Sequence, residues 1–459
     1  MSRTWTGVGL AAVVWLSWAG AAQAGPLALA DALAVAYDTN PQLAAQRASL
    51  KATDEGVAKA NGGWRPSVSA QGTYGDQDYH FAGTLPPYPS KNTTHPLQGQ
   101  VTLTQPVFRG GRTWAEIAKA KALVRAGRAQ LDQVEQNVLL AAATAYMDVV
   151  RDSAIVDLQR HNVEVLEKQL KATELQFKVG DLTKTDVAQA RARLAGAQSS
   201  LVSAEGQFAV SRANYEQVIG RPAETLTASS PLPKLPASLA DAEAVAEKQS
   251  PVLIVAEETE RAADHAVDDS VGALLPQVSI QAQYGYSGAQ SFGGVLAQPA
   301  TTSTSLMAEL TVPLYQGGSD EADIRQAKQL HSQSQLNVVT ARRQVQDSVR
   351  GAWETFQSAQ ATIGSNKAQL TANELAHEGV QREQAVGART VLDVLNAEQE
   401  LLNAQVALVT SERDAEVAAY QLLAATGQLT ARNLGLKVKL YDPEVYYDDN
   451  AARWIGFGD

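Results

Sequence analysis

Apolar residues return along this chain with two distinct periods. Beyond Gly111 they fall on a seven-residue lattice: Ile117, Val124, Leu131, Val138 and Ala145, with Ala120, Gly127, Val134 and Ala141 three positions further on. The lattice returns at Ile324, His331, Val338, Val345 and Ala352, with Ala327, Ser334, Ala341 and Ser348. A heptad seam implies long helices supercoiled on one another, and a small second layer lets their axes approach closely. No proline interrupts either stretch, between Pro106 and Pro222 or between Pro313 and Pro443. Ahead of each lattice the period drops to two. Val68, Ala70, Gly72 and Tyr74 alternate with Ser67, Ser69, Gln71 and Thr73, and Val101 and Leu103 with Gln100, Thr102 and Thr104. Val278, Ile280, Ala282 and Tyr284 alternate with Ser279, Gln281 and Gln283, and Leu306, Ala308, Leu310 and Val312 with Met307, Glu309 and Thr311. These segments predict four strands with one apolar and one polar face, in two hairpins closed by Gly/Pro/Ser-rich loops at 85–90 and 293–296.

The two halves share one plan. Asn40-Pro41-Gln42-Leu43 returns as Ser250-Pro251-Val252-Leu253, and Arg65-Pro66-Ser67-Val68 as Leu275-Pro276-Gln277-Val278, both 210 residues later. Leu103 to Gly111 (LTQPVFRGG) returns as Leu310 to Gly318 (LTVPLYQGG), and Val179-Gly180-Asp181-Leu182-Thr183-Lys184-Thr185-Asp186-Val187 as Val386-Gly387-Ala388-Arg389-Thr390-Val391-Leu392-Asp393-Val394, both 207 residues later. Repeat 1 then covers 25–226, with helices in 27–64, a β-hairpin over 66–108, a long helix over 111–178 and a return helix over 184–220. A linker follows at 227–250. Repeat 2 covers 251–435, with a helix over 252–274, a hairpin over 276–315, a long helix over 318–385 and a return helix over 391–426. A polar tail, 436–459, closes the chain. At ~1.5 Å per residue each long helix extends on the order of 100 Å.

The first segment reads as an export signal, 1–24. Arg3 precedes an apolar run from Val8 to Trp18, and Ala22-Gln23-Ala24 offers small residues for cleavage. That run is shorter than the ~20 residues a membrane-spanning helix needs, and no later run is long enough. The 459 residues include no cysteine, which excludes disulfides, thiol nucleophiles, Cys-ligated metal and a lipidated N-terminal cysteine. The net charge of −11 argues against nucleic acid. The six histidines are dispersed, so no metal site is expected, and no cofactor or catalytic motif is found.

An exported chain without a hydrophobic helix, whose strands alternate apolar with small polar residues, suits a β-barrel with lipid outside and water inside. Tyr74, Tyr284, Tyr286, Phe108 and Tyr315 lie at strand ends, where interfacial aromatics are expected. Open edges are not tolerated in hydrocarbon, and four strands are too few to close a barrel. The barrel must therefore be shared between chains: eight strands from two, or twelve from three.

The doubled hairpin-and-long-helix plan, the Pro-x-(aromatic or leucine)-x-Gly-Gly lead into each long helix and the Val-Gly-x-x-Thr-x-x-Asp-Val tips resemble the TolC-type outer-membrane efflux proteins, over about Leu27 to Gly435. The resemblance implies a homotrimer in outer-membrane lipid, with a 12-stranded transmembrane β-barrel, four strands per chain, continuous with a 12-helix periplasmic α-barrel. It also implies an equatorial belt from the linker and tail, and docking to a periplasmic adaptor and an inner-membrane transporter. The missing cysteine favours the non-lipidated branch, and the tail's Tyr441-Asp442-Pro443, Tyr446-Tyr447 and Trp454 resemble members paired with type I secretion. The expected function is a passive exit duct; the alternative is a non-conducting coiled coil or adhesin.

The tips have a local explanation of their own. Gly180 and Gly387 can end a helix in the left-handed conformation, and Thr183 or Thr390 can cap the next helix with Asp186 or Asp393 as a capping-box partner. The resemblance adds a gate. Asp393 matches the first of two stacked aspartates, and Asn396 occupies the place of the second, halving the formal charge of the ring. A carboxylate ring in a narrow mouth attracts cations, and mutual repulsion raises some of its pKa values. Arg389, Thr185 and Asp186 match positions that lock the closed state, while Gln384 stands where the family has an aromatic partner. An Arg389–Asp393 pair on one helix is the plainer alternative. Gly180, Asp181, Leu182, Gly387 and Ala388 are the expected adaptor-docking tips.

Overall fold

The computed structural model describes residues 27–80, 91–224, 226–227, 233–291 and 300–457. The expected signal peptide and both hairpin loops lie outside the described residues. Two short helices lead each half. In the first, α1 (Leu29–Thr39) meets α2 (Pro41–Asn61) at Asn40, whose side chain accepts from the Gln42 and Leu43 backbone N–H groups while Pro41 fills the first helical position. In the second, α5 (Leu239–Gln249), which the linker 227–250 was not expected to contain, meets α6 (Pro251–Gly272) at Ser250. The long helices are α3 (Arg112–Val179, 68 residues) and α7 (Ser319–Ala385, 67 residues). The return helices are α4 (Lys184–Ile219) and α8 (Val391–Ala425). Each return helix covers one half of its long helix. The other half of α3 is flanked by α2 and α6, whereas α7 packs against α6 and, near its middle, α5. Among the described residues no helix is long and apolar enough to cross a membrane.

The heptad lattice holds along most of α7, with one slip. Ile324, Ala327, His331, Ser334, Val338, Ala341 and Val345 turn inward as expected. The next buried residue is Val349, fully covered, and Ser348 is exposed. This four-residue step in place of three is a stutter, which locally relaxes the supercoil. His331 is tolerated in the seam because Glu260 of α6 meets its Nε2 at 2.7 Å. In α3 the expected second layer breaks down at Ala141, which is exposed while Ala142 and Ala143 are buried. The cause is a change of surroundings, since mid-α3 crosses the largest core of the molecule. Leu131, Leu139, Tyr146 and Val149 are enclosed there by Leu33 and Tyr37 of α1, Tyr215 and Ile219 of α4, Tyr420 and Leu423 of α8, and Leu429 and Leu436 beyond α8. The Tyr146 hydroxyl lies 2.8 Å from the Leu27 carbonyl and accepts from the Thr227 N–H, tying the linker to the start of the described chain.

The strands form one antiparallel sheet in the order β1-β3-β4-β5. Its first hairpin departs from expectation because the outgoing strand is broken at Gly75 and Asp76 into β1 (Ser67–Tyr74) and β2 (Gln77–His80), both paired with β3 (Lys91–Arg109). The described residues thus form five strands where four were expected. The second hairpin is β4 (Gln277–Ser291) and β5 (Thr301–Thr311), so Tyr315 lies past the strand end. The register puts Val68, Leu103, Ala282 and Leu306 in one row across the sheet, and Ser69, Thr102, Gln283 and Ser305 in the next. One face is therefore apolar and the other polar, as the alternation predicted. A bulge at Val107, between Pro106↔Ser279 and Phe108↔Val278, returns Phe108 to the apolar face and sits beside a proline that has no N–H to give the ladder.

Candidate functional site: the helix tips and the open sheet

The two tips have the same construction. α3 ends on Gly180 at φ +89° and α7 runs into Gly387 at φ +79°, conformations that favour glycine. In each, the following N–H reaches back five residues, Asp181 to the Gln176 carbonyl at 3.0 Å and Ala388 to the Glu383 carbonyl at 2.9 Å. Thr183 and Thr390 then open the return helices. Asp186 Oδ2 accepts from the Thr183 N–H at 2.9 Å and hydroxyl at 2.8 Å, and Asp393 Oδ2 accepts from the Thr390 N–H and hydroxyl at the same two distances. The capping boxes are present at both tips. These hydrogen bonds hold the Asp186 and Asp393 carboxyls below the usual aspartate range, so within one chain the shift is opposite to the rise expected of a charged ring.

Other expected tip residues find different partners. Arg389 does not pair with Asp393; its Nε donates to Glu383 Oε2 at 2.8 Å, across the turn. The Asn396 Oδ1 accepts from Arg193 Nη2 at 2.7 Å, which joins α8 to α4 about one turn beyond Asp393. Arg193 was not legible as a site residue, because it lies outside both repeated tip motifs. Thr185 is exposed on the first turn of α4. Gln384 is half-buried, and its carbonyl accepts from the Gly387 N–H. Leu182 is also half-buried, packing with Leu166, Ala190, Val391 and Leu395 beneath the tips, so it supports the tip from inside. Gly180, Asp181, Gly387 and Ala388 are exposed, and each glycine is preceded by an exposed valine, Val179 or Val386. Among the described residues no cluster of metal-ligating side chains occurs.

At the opposite end of the molecule the sheet is open. β1 is exposed along its whole length and β5 along all but one residue. Both outer edges lack a neighbour among the described residues. The apolar row of Val68 and Leu306 is 66% and 75% exposed, so among the described residues nothing covers this face.

A long bundle with capped tips at one end and an unpaired amphipathic sheet at the other defines an outer-membrane channel protein. The chain belongs to the outer membrane efflux protein family, whose model matches residues 32–221 and 244–428. It is similar to the outer membrane efflux protein BepC of Brucella suis biovar 1 (strain 1330), at 34% identity over 93% of this chain and 91% of that one. It is also similar to the outer membrane protein TolC of Escherichia coli (strain K12), at 25% identity over 59% of this chain and 57% of that one. Among solved structures, the Campylobacter jejuni CmeC outer membrane channel superposes with a TM-score of 0.77 at 14% identity, covering 92% of this chain and 89% of that one. CusC superposes with a TM-score of 0.76 at 16% identity, over 87% and 92%. The protein is an outer-membrane exit duct of efflux or secretion, and its family is one of transport proteins rather than enzymes.

Proposed function

We propose that three copies join edge to edge into a 12-stranded barrel in outer-membrane lipid, continuous with a 12-helix tunnel across the periplasm. The observation that carries this reading is the sheet: among the described residues one apolar face is uncovered, the other face is polar, and neither outer strand has a second strand beside it. Unpaired N–H and C=O groups cost several kcal/mol each, roughly, in hydrocarbon, so the edges need partners. Two chains would give eight strands and a lumen filled by side chains; twelve strands leave room for water. The 15 residues of β4 and 11 of β5 suffice for a tilted crossing of the bilayer.

In this reading the tips close the periplasmic end. Asp393 from each chain forms the cation-attracting ring, and Asn396, engaged by Arg193, adds no charge to it. Arg389, Thr185, Asp186 and Gln384 belong to the closed-state lock, with the Arg389–Glu383 pair as its element within the chain. The exposed surface of Val179, Gly180, Asp181, Val386, Gly387 and Ala388 receives a periplasmic adaptor, which couples the duct to an inner-membrane transporter. The cargo passes without chemistry, so selectivity resides in the pump. Reconstitution into planar bilayers tests the reading: discrete, cation-preferring channels blocked by polyvalent cations from the periplasmic side are expected. A protein that is electrically silent in lipid overturns it.

A further inference from the structure

The C-terminal tail is fastened along α2 in strict order. The Tyr441 N–H donates to the Tyr37 hydroxyl, and the Arg47 guanidinium lies 4.7 Å from the Tyr37 ring and 5.1 Å from the Tyr441 ring. Asp442 then caps the short helix α9 (Pro443–Asn450). Along α9, Glu444 pairs with Arg128 at 2.9 Å, Lys51 sits over the Tyr446 ring, and the Tyr446 hydroxyl donates to Glu55 at 2.8 Å. Next, Asn61 donates to the Ala451 carbonyl, and the two Arg65 terminal nitrogens donate to the Arg453 and Ala452 carbonyls at 2.6 and 3.2 Å. The partners climb α2 from Arg47 to Asn61, about 21 Å at ~1.5 Å per residue, and continue to Arg65 just past its end. Arg65 is two residues from the start of β1.

Just there the tail stops making cover and presents Trp454-Ile455-Gly456-Phe457. Arg65 stacks on the Trp454 ring at 5.0 Å, yet Trp454 is 67%, Ile455 89% and Phe457 fully exposed. Ordering a tail costs conformational entropy. The many polar anchors offset that cost, and what they deliver is an apolar tip at the level where the sheet begins. Trp64 and Trp114, in edge contact at 4.6 Å, and Phe108 lie at the same junction. Two arginines, Arg65 and Arg453, flank the tip. Tryptophan and phenylalanine beside arginine is the composition that suits a bilayer interface, with rings at headgroup level and guanidinium groups on phosphate.

We propose that residues 454–457 insert into the phospholipid of the membrane leaflet facing the periplasm, forming a second, non-covalent lipid contact at the base of each barrel segment. The proposal rests on reading the sheet as a lipid-embedded barrel. The occupant is lipid because Trp454 is held on Arg65, three residues before Val68, where the uncovered apolar row of the sheet begins. The chain has no cysteine, so single spin labels can be placed cleanly. Phe457→Cys and Ile455→Cys, labelled in the full-length protein in phosphatidylethanolamine/phosphatidylglycerol nanodiscs, are compared with Leu306→Cys on the apolar strand face and Thr355→Cys on α7. Accessibility to oxygen several-fold above accessibility to a water-soluble nickel chelate is expected at 455 and 457, at shallower depth than at 306. Labels at 455 and 457 that read like the aqueous 355 site, or that are shielded from both reagents because another protein surface covers them, overturn the proposal while a lipid-exposed 306 leaves the barrel standing. A 306 label that also fails to read lipid overturns both.

Discussion

The repeat makes the contacts between chains predictable from contacts within one. At the junction of sheet and bundle, Gly110 at φ +61° packs on the end of α6 so closely that a Cβ there would lie 2.2 Å from the Gly272 carbonyl oxygen. A Cβ on Gly272 would in turn lie 2.7 Å from the Gly110 carbonyl oxygen. The repeat-equivalents are Gly317, 207 residues on, and Gly62, 210 residues back, and neither has anything within 4 Å in the single chain. In the proposed trimer, Gly317 of one protomer is therefore expected to pack on Gly62 of the next. Gly62 has an ordinary right-handed conformation at φ −57°, so Gly62→Val leaves the protomer unstrained. Overpacking costs ~1–3 kcal/mol per site, hence ~3–9 kcal/mol for three interfaces in a closed ring. A tenfold change in an equilibrium takes about 1.4 kcal/mol, so the trimer dissociation constant rises by at least two orders of magnitude. Light scattering after size exclusion, across a guanidinium series in detergent, measures this, with circular dichroism confirming the helices. Gly272→Val is the contrast, since it strains the chain itself. A Gly62→Val trimer as resistant as the parent refutes the equivalence.

The same mapping turns the β3–β4 pair Leu103↔Ala282 into Leu310↔Gly72 between chains, and Thr102↔Gln283 into Glu309↔Thr73. Because antiparallel pairs alternate in spacing, at least one of these double-cysteine variants forms an intermolecular disulfide on a non-reducing gel, and Leu310→Cys with Thr73→Cys does not. Asp393→Ala abolishes cation preference and polyvalent block in planar bilayers. Arg389→Ser and Glu383→Gln raise single-channel conductance alike if their pair steadies the tip; an effect of the first alone assigns Arg389 a partner in the neighbouring chain. Asp54, 2% exposed beneath the tail with neither oxygen hydrogen-bonded, is pushed by burial up to about 6, against the opposing pull of Arg128. The folded state therefore binds the extra proton between the unfolded value near 3.8 and about 6, and stability rises as pH falls through that window. Asp54→Asn raises the thermal midpoint at pH 8 and flattens the gain on acidification.

What the sequence made legible were features written in periodicity and duplicated motifs. Strand parity survived into the register row by row, because a one-residue slip would turn every apolar side chain to the other face. Both tips folded as Gly-ended, Thr-capped turns, since those conformations are chosen locally. Interactions between elements remote in sequence were not legible. The Val345-to-Val349 stutter depends on what α5 and α6 present to α7, and Ala141 faces outward because α1 and the stretch beyond α8 cover the other side of mid-α3. Arg193 reaches Asn396, and Arg389 chooses Glu383, through side-chain geometry that no spacing rule contains. The climb of the tail along α2 is encoded in isolated aromatics whose basic partners lie some 390 residues away.

The four-strand width of one chain's sheet cannot seal a wall in lipid. Native mass spectrometry of the detergent-extracted, processed protein tests it most directly. A predominant species of three chains is predicted. A predominant single chain, or a closed pair, would contradict the account.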